Sequence, residues 1–243
     1  MMLPYFERAR ALLDEVARSQ DVAIMDAVER IAASLLAGGV LHVFGTGHSH
    51  IAGEEMLYRA GGLVPVNAIL YPSLMQHEGP VASTQLERLP GLARIIFQQQ
   101  DIRPGEVLII VSNSGKNAVP LEFARLARDH GVQTVALTCV AQSDAAALPE
   151  GEPQRLYELC DVVIDNCGEP GDAILEVPGT SLRASGTSTL VNTAIVQEIT
   201  YQVSCRIAAQ GQEPPVFKSA NLPGGDAWNA QLLARYQERL HFR

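Results

Sequence analysis

Hydroxyl, amide and glycine residues gather where one apolar run ends. Val107–Val111 (VLIIV) passes straight into Ser112-Asn113-Ser114-Gly115-Lys116-Asn117, and a helical pattern begins at Ala118. A helix starting there would add unpaired N–H groups and the positive end of its dipole to the two serine hydroxyls. That set suits a phosphate monoester. The G-x-x-x-x-G-K-[ST] spacing of a Walker loop is absent, which argues against a nucleoside triphosphate. The same residues also suit an ordinary strand–turn–helix corner with serine as the helix cap, and the corner by itself does not choose. A second loop of similar character, Gly45-Thr46-Gly47-His48-Ser49-His50, ends another apolar run. Its glycines, Gly45 and Gly47, allow the backbone a close approach to a ligand.

Holding such loops requires buried strands. An unbroken, β-branched apolar run reads as a strand covered on both faces, the habit of a parallel sheet. Ligands of open α/β sheets sit beyond the carboxyl ends of such strands. Further strands are expected at residues 40–44 (VLHVF), 63–70, 132–138 (VQTVALT) and 161–165 (DVVID). Apolar residues at three- and four-residue intervals predict two helices within residues 3–37. Helices are also expected at 51–60, 86–100, 118–130, 185–209 and 228–240, while 71–84, 141–156 and 166–178 read as loops. The alternation predicts an α/β fold, a three-layer, doubly wound parallel sheet of about five strands. Leu190, Val191, Ala194, Ile195, Ile199 and Val203 spread over more than one face of the helix at 185–209. That helix needs two covers, and a second copy of the chain is a natural one, as in a homodimer or tetramer.

The 243 residues are read as one unit, 1–243, with helices 1–37 and a helical tail 211–243 packed on it. A net charge of -9 without any basic run argues against nucleic acid or an anionic membrane as partner. An anion must then be held by local N–H and hydroxyl groups. The apolar segments fall short of a membrane span, and the start of the chain lacks signal-peptide order. Cys139, Cys160, Cys167 and Cys205 have no C-x-x-C spacing and read as reduced thiols in a cytoplasmic protein.

The two loops FGTGHSH (44–50) and SNSGKN (112–117), with Leu137-Thr138 closing the next strand, resemble the SIS (sugar isomerase) domain family. The match runs over roughly residues 40–205, and three ordered signatures carry it. The resemblance implies a flavodoxin-like SIS fold that binds a phosphosugar without a cofactor. It implies that Ser112, Ser114, Asn117 and Thr138 hold the phosphate, with Asn113 and Gly115 in the same loop. Asn113 stands where relatives often carry Gln or another small residue. Thr46, Gly47, His48 and Ser49 would approach the sugar. Residues 178–193 (PGTSLRASGTSTLVNT) look like the T-G-S-T-R-L-K-A-G-T segment of the muramic acid phosphate etherases, without its lysine. Residues 214–221 (PPVFKSAN) are similar to the tail of the isomerase domain of glucosamine-phosphate synthase, whose lysine corresponds to Lys218.

Aldose–ketose isomerisation needs a base that moves a proton between neighbouring carbons, and ether elimination needs a similar abstraction with an acid for the leaving group. Glu87 and Glu55 lie near where relatives place catalytic acids, and Glu87 is the preferred one. Glu54 and Glu55 point about 100° apart on a helix, so at most one can face the site. Either could be a solvated helix charge, and Glu87 in a first helical turn could answer only the dipole. Glu198, seven residues after Val191, is expected on an apolar stripe, as a base with a raised pKa or as half of an ion pair. His77 is a lid or ring-opening candidate, or a surface histidine. Some heptose phosphate isomerases of this fold use zinc, but Glu55 and Arg59 occupy those ligand places here, so no metal is expected. Arg59 should pair with a helix carboxylate. The resemblance implies a phosphosugar isomerase first, then an etherase-like lyase, then a non-catalytic phosphosugar sensor. The acidic N-terminal helices lack a basic DNA-reading face, which weighs against a DNA-bound regulator.

Overall fold

The computed structural model describes residues 3–240; the outermost residues of the expected 1–243 unit, 1–2 and 241–243, lie outside it. Two helices come first, α1 (Pro4–Ser19) and α2 (Asp21–Leu36). Strand β1 (Leu41–Gly45) and a 3-10 turn at Gly47–His50 lead into α3 (Ile51–Met56) and β2 (Val66–Ile69). Next come α4 (Pro80–Leu86), α5 (Leu92–Phe97), β3 (Val107–Val111), α6 (Ala118–Asp129) and β4 (Gln133–Thr138). The chain continues through α7 (Val140–Ala145), α8 (Leu156–Leu159), β5 (Val162–Asp165), β6 (Ala173–Glu176) and β7 (Arg183–Gly186). Helices α9 (Ser188–Ala209) and α10 (Gly225–Tyr236) follow.

Five strands form one parallel sheet in the order β2-β1-β3-β4-β5. The central strand β3 is buried at every position, as its apolar run required. Alternate residues face opposite ways, so the sheet feeds two cores. Leu41, Val43, Val107, Ile109 and Val135 pack under α1, α2, α3 and α9. Phe44, Leu108, Ile110 and Ala136 pack under α5, α6 and α8. The result is the three-layer α/β arrangement expected. A smaller cluster of Val40, Val64, Phe217, Tyr236 and Leu240 fastens the C-terminal tail below the sheet.

Several expected boundaries move, for local reasons. The stretch 86–100 is not one helix. Pro90 removes an N–H and disfavours helical geometry at Leu89, and Gly91 takes a left-handed φ of 85°, so α4 and α5 separate. The loop expected at 71–84 holds two 3-10 turns and most of α4. Helix α3 stops at Met56, because Tyr58 already has φ 45°. Residues 141–156 contain most of α7 and the start of α8. The start of α9 shifts to Ser188, since residues 183–186 pair with β6 as an antiparallel hairpin and Ser185 has φ 69°. Asp172 then caps α9, accepting hydrogen bonds from the Thr187 N–H at 2.9 Å and the Ser188 N–H at 2.8 Å.

Candidate active site at the carboxyl edge of the sheet

The loops after β1 and β3 stand side by side because their strands pair in register, Gly45 beside Val111. After Gly45 the chain folds back over itself: a Cβ there would lie 2.5 Å from the Ser49 carbonyl oxygen, so only glycine fits. Gly115 is constrained in the same way. Its φ is 54°, and a Cβ would lie 2.9 Å from Ser143 Oγ and 3.3 Å from Leu156 Cβ. The Ser112 hydroxyl is buried and accepts the Gly115 N–H at 3.2 Å, which leaves its own proton to donate. Ser114 is half-buried, and among the described residues its hydroxyl makes no hydrogen bond.

Between the two loops lies Glu87. One carboxylate oxygen accepts the Thr46 hydroxyl at 2.8 Å and the other accepts the Asn117 amide at 2.9 Å. The Glu87 carbonyl also accepts the Val119 N–H at 3.1 Å, tying the break between α4 and α5 to the first turn of α6. Three residues proposed separately from sequence, Thr46, Glu87 and Asn117, therefore meet at one point. Burial raises the pKa of Glu87, against the Thr46 hydrogen bond and the charge of Arg88, both of which lower it. The split of the expected helix also removes the alternative reading in which Glu87 only answers a helix dipole. Glu87 sits at the C-terminal cap of α4, not in a first turn, so the helix dipole does not favour its charge there.

The other proposed residues fare differently. Gly47 takes a left-handed φ of 55°, and His48 and Ser49 sit on the 3-10 turn that follows, His48 exposed and Ser49 half-buried. His50, buried, donates from Nδ1 to the Gly47 carbonyl and lies 5.5 Å from the exposed His77 ring, which puts His77 over the first loop. Thr138 corrects an expectation: it is fully buried, and its hydroxyl donates to the Ser112 carbonyl at 2.7 Å. It pins the loop and does not present its hydroxyl at the surface. Glu55 pairs with Arg59, as expected of Arg59, and accepts the Gln197 amide at 2.9 Å; no hydrogen bond joins it to Thr46, Glu87 or Asn117 among the described residues.

Glu198 is exposed and accepts the Gln202 amide at 2.8 Å. It lines a groove with Ile24, Met25 and Ala194, away from the residues around Glu87. Seven residues is slightly less than two turns, and Val191 falls on the buried side of that boundary while Glu198 falls outside it. Sequence reasoning missed Asn166 and Asn192, both buried: Asn166, at the end of β5, donates to Asn113 and to Asn192 of α9. Each is an isolated polar residue beside an apolar run, and nothing local marks it.

A SIS domain model matches residues 4–139, a segment holding both loops and Glu87. The chain belongs to the SIS domain family. Within it, a UPF0309 protein of Geobacillus kaustophilus is 38% identical over 240 residues, 99% of this chain and 96% of the relative. A UPF0309 protein of Brucella anthropi is 44% identical over 213 residues, 88% of this chain and 86% of the relative. The phosphoheptose isomerase structure from Francisella tularensis superposes with a TM-score of 0.53 at 19% identity. It covers 82% of this chain and 94% of that one. The Neisseria gonorrhoeae phosphoheptose isomerase gives 0.52 at 16% identity, with 82% and 95% covered. Both likenesses concern the SIS fold, the five-stranded parallel sheet flanked by helices. No helix among the described residues is long and apolar enough to cross a membrane.

Proposed function

We propose that this SIS-domain protein binds a phosphosugar at the Ser112–Gly115 corner and interconverts its aldose and ketose forms, with Glu87 as the general base. The observation that carries the reading is the Glu87 carboxylate, held by Thr46 and Asn117 between the two strand-end loops, with its pKa raised by burial. A base whose pKa lies above the ordinary carboxylate range accepts a carbon-bound proton more readily.

The phosphate is anchored by the hydroxyls of Ser112 and Ser114 and by the Ala118 N–H that opens α6, the Val119 N–H being taken by the Glu87 carbonyl. Anchoring presents the sugar carbons to Glu87, and Thr46, His48 and Ser49 hold the sugar hydroxyls. Glu87 takes the proton from the carbon next to the carbonyl while a solvent water gives one to the carbonyl oxygen, yielding an enediol. The hydroxide left is neutralised when the neighbouring hydroxyl gives up its proton in the second half. The same carboxyl returns a proton to the former carbonyl carbon as the neighbouring hydroxyl loses its own, so no atoms are gained or lost overall. Asn117 and Thr46 keep the carboxylate aimed through this exchange, and His77 stands where a lid would close over the first loop. The reaction needs no redox partner. The names of the structural relatives, both phosphoheptose isomerases, support the same substrate class.

In this reading the chain works as one domain in the cytoplasm. A second copy covers the outer side of α9, where Leu190 and Tyr201 are exposed at 39% and 63%. The test of the function is incubation with aldose and ketose phosphates in deuterated water. Deuterium should enter at the carbon beside the carbonyl with the wild type and not with Glu87→Gln. Bound sugar phosphate that exchanges no proton would overturn the isomerase reading.

A further inference from the structure

The buried asparagines fix the direction in which the phosphate loop offers a hydrogen bond. The Gly168 backbone N–H donates to Asn166 Oδ1 at 3.0 Å, and a backbone N–H can only donate. The other end of that side chain is therefore its NH2 group. It donates to Asn113 Oδ1 and to Asn192 Oδ1, each at 2.9 Å. Asn166 and Asn192 are 1% and 4% exposed, so neither can exchange these partners for water without cost. Asn113 is half-buried between Ser112 and Ser114, and its oxygen is committed inward. Its amide nitrogen must face the other way, and among the described residues that nitrogen has no hydrogen-bond partner.

We infer that Asn166 is a positioning residue for substrate: through Asn113 it forces the loop to present an N–H donor, and never an oxygen, to the bound phosphosugar. The inference rests on the phosphosugar reading above and extends it. The loop then offers two hydroxyls, one amide NH2 and the backbone N–H groups, all able to donate to an anion. An Asn113 free to turn over would spend part of its time with an oxygen against the phosphate. Asn192 braces the same NH2 group from α9 and makes the orientation independent of solvent.

The polarity can be reversed without deleting the network. Asn166→Asp keeps an oxygen for the Gly168 N–H but replaces the NH2 group with a second oxygen. Asn113 and Asn192 can then pair with it only by turning over, which puts the Asn113 oxygen toward the ligand. Thermal shift and calorimetry with glucose 6-phosphate, fructose 6-phosphate, N-acetylglucosamine 6-phosphate and inorganic phosphate would read the effect. Asn166→Asp should weaken the tightest of these at least about tenfold, the scale of a good hydrogen bond turned repulsive. Burying a carboxylate there should also lower the unliganded melting temperature, so affinity is measured well below it.

If Asn166→Asp does not fold, Asn113→Asp serves, with Asn113→Ala beside it. The first keeps the oxygen that Asn166 needs but puts a charged oxygen where the donor stood; the second removes the donor without adding charge. Both should lose binding, the neutral variant by about tenfold. Unchanged affinity in a folded Asn166→Asp, or in either Asn113 variant, would overturn the inference while leaving the phosphosugar reading in place. A wild type that binds none of the four probes overturns both.

Discussion

Glu87 and Glu106 sit at opposite rims of the same sheet, and their surroundings push them in opposite directions. Burial raises the pKa of each. At Glu87 the opposing influences are the neutral Thr46 hydroxyl and the more distant charge of Arg88, and burial wins. At Glu106 burial loses to hydrogen bonds from His42, Arg239 and the Arg103 backbone N–H, which hold the carboxyl at about 2. Its remaining acceptor site takes the Val40 N–H at 2.9 Å. His42 is itself fixed, because Asn67 donates to its Nδ1 at 3.1 Å and so leaves the proton on Nε2. Arg239 brings the chain beyond α10 to this rim, beside the cluster formed by Phe217, Tyr236 and Leu240. A carboxylate saturated with four donors, one of them the Arg239 guanidinium, clamps the fold. One held by two neutral donors keeps its orientation and stays free to change its protonation state.

The largest effect expected from breaking this comparison is on catalysis. Glu87→Gln keeps one oxygen to accept a hydrogen bond but removes the base, so turnover of the matched sugar phosphate should fall about 100- to 10,000-fold. Its melting temperature should stay near that of the wild type, as scanning calorimetry would record.

Glu106→Gln should show the reverse. Arg239 keeps its ion pair with Asp101 at 2.7 Å, but the buried donors around Glu106 lose a charged acceptor, which should cost about 1–3 kcal/mol of stability in urea unfolding. Per-molecule turnover of the folded fraction should be preserved.

Acid separates the same two sites. The folded-state pKa of Glu106 is depressed, so its contribution is complete above its unfolded value of about 4.5. It is lost as pH falls through about 2, and across that window it amounts to roughly 3 kcal/mol. Unfolding curves between pH 5 and 2 should steepen for the wild type and flatten for Glu106→Gln.

The smallest effect sharpens the account of Glu87. Its hydrogen bond from Thr46 lowers its pKa, so Thr46→Val should raise it further. The acidic limb of the pH–rate profile should move upward, since the base must be ionised to act.

What could be read in the sequence was local. The unbroken run VLIIV and the glycine-bearing loops after it and after residue 44 foretell a buried parallel strand and its ligand-facing corner, because each signal lies within a few residues. The single helix expected at 86–100 takes no account of Pro90 and Gly91, which divide it, and so misses the place of Glu87 at the end of α4. Glu198 was misplaced because a seven-residue step leaves a helical position on either side of a stripe's edge. Asn166 and Asn192 could not be found at all. Asn113 lies 53 residues before its partner Asn166 and Asn192 lies 26 after it, and only the folded sheet brings the end of β5, the loop after β3 and α9 together.

The central claim is that the corner after β3 anchors a sugar phosphate against Glu87. A crystal soaked with the tightest-binding hexose phosphate tests it most directly. The account predicts the phosphate within hydrogen-bond reach of the Ser112 and Ser114 hydroxyls, with a sugar carbon facing the Glu87 carboxylate. A phosphate bound away from that loop, or a sugar turned from Glu87, would contradict it.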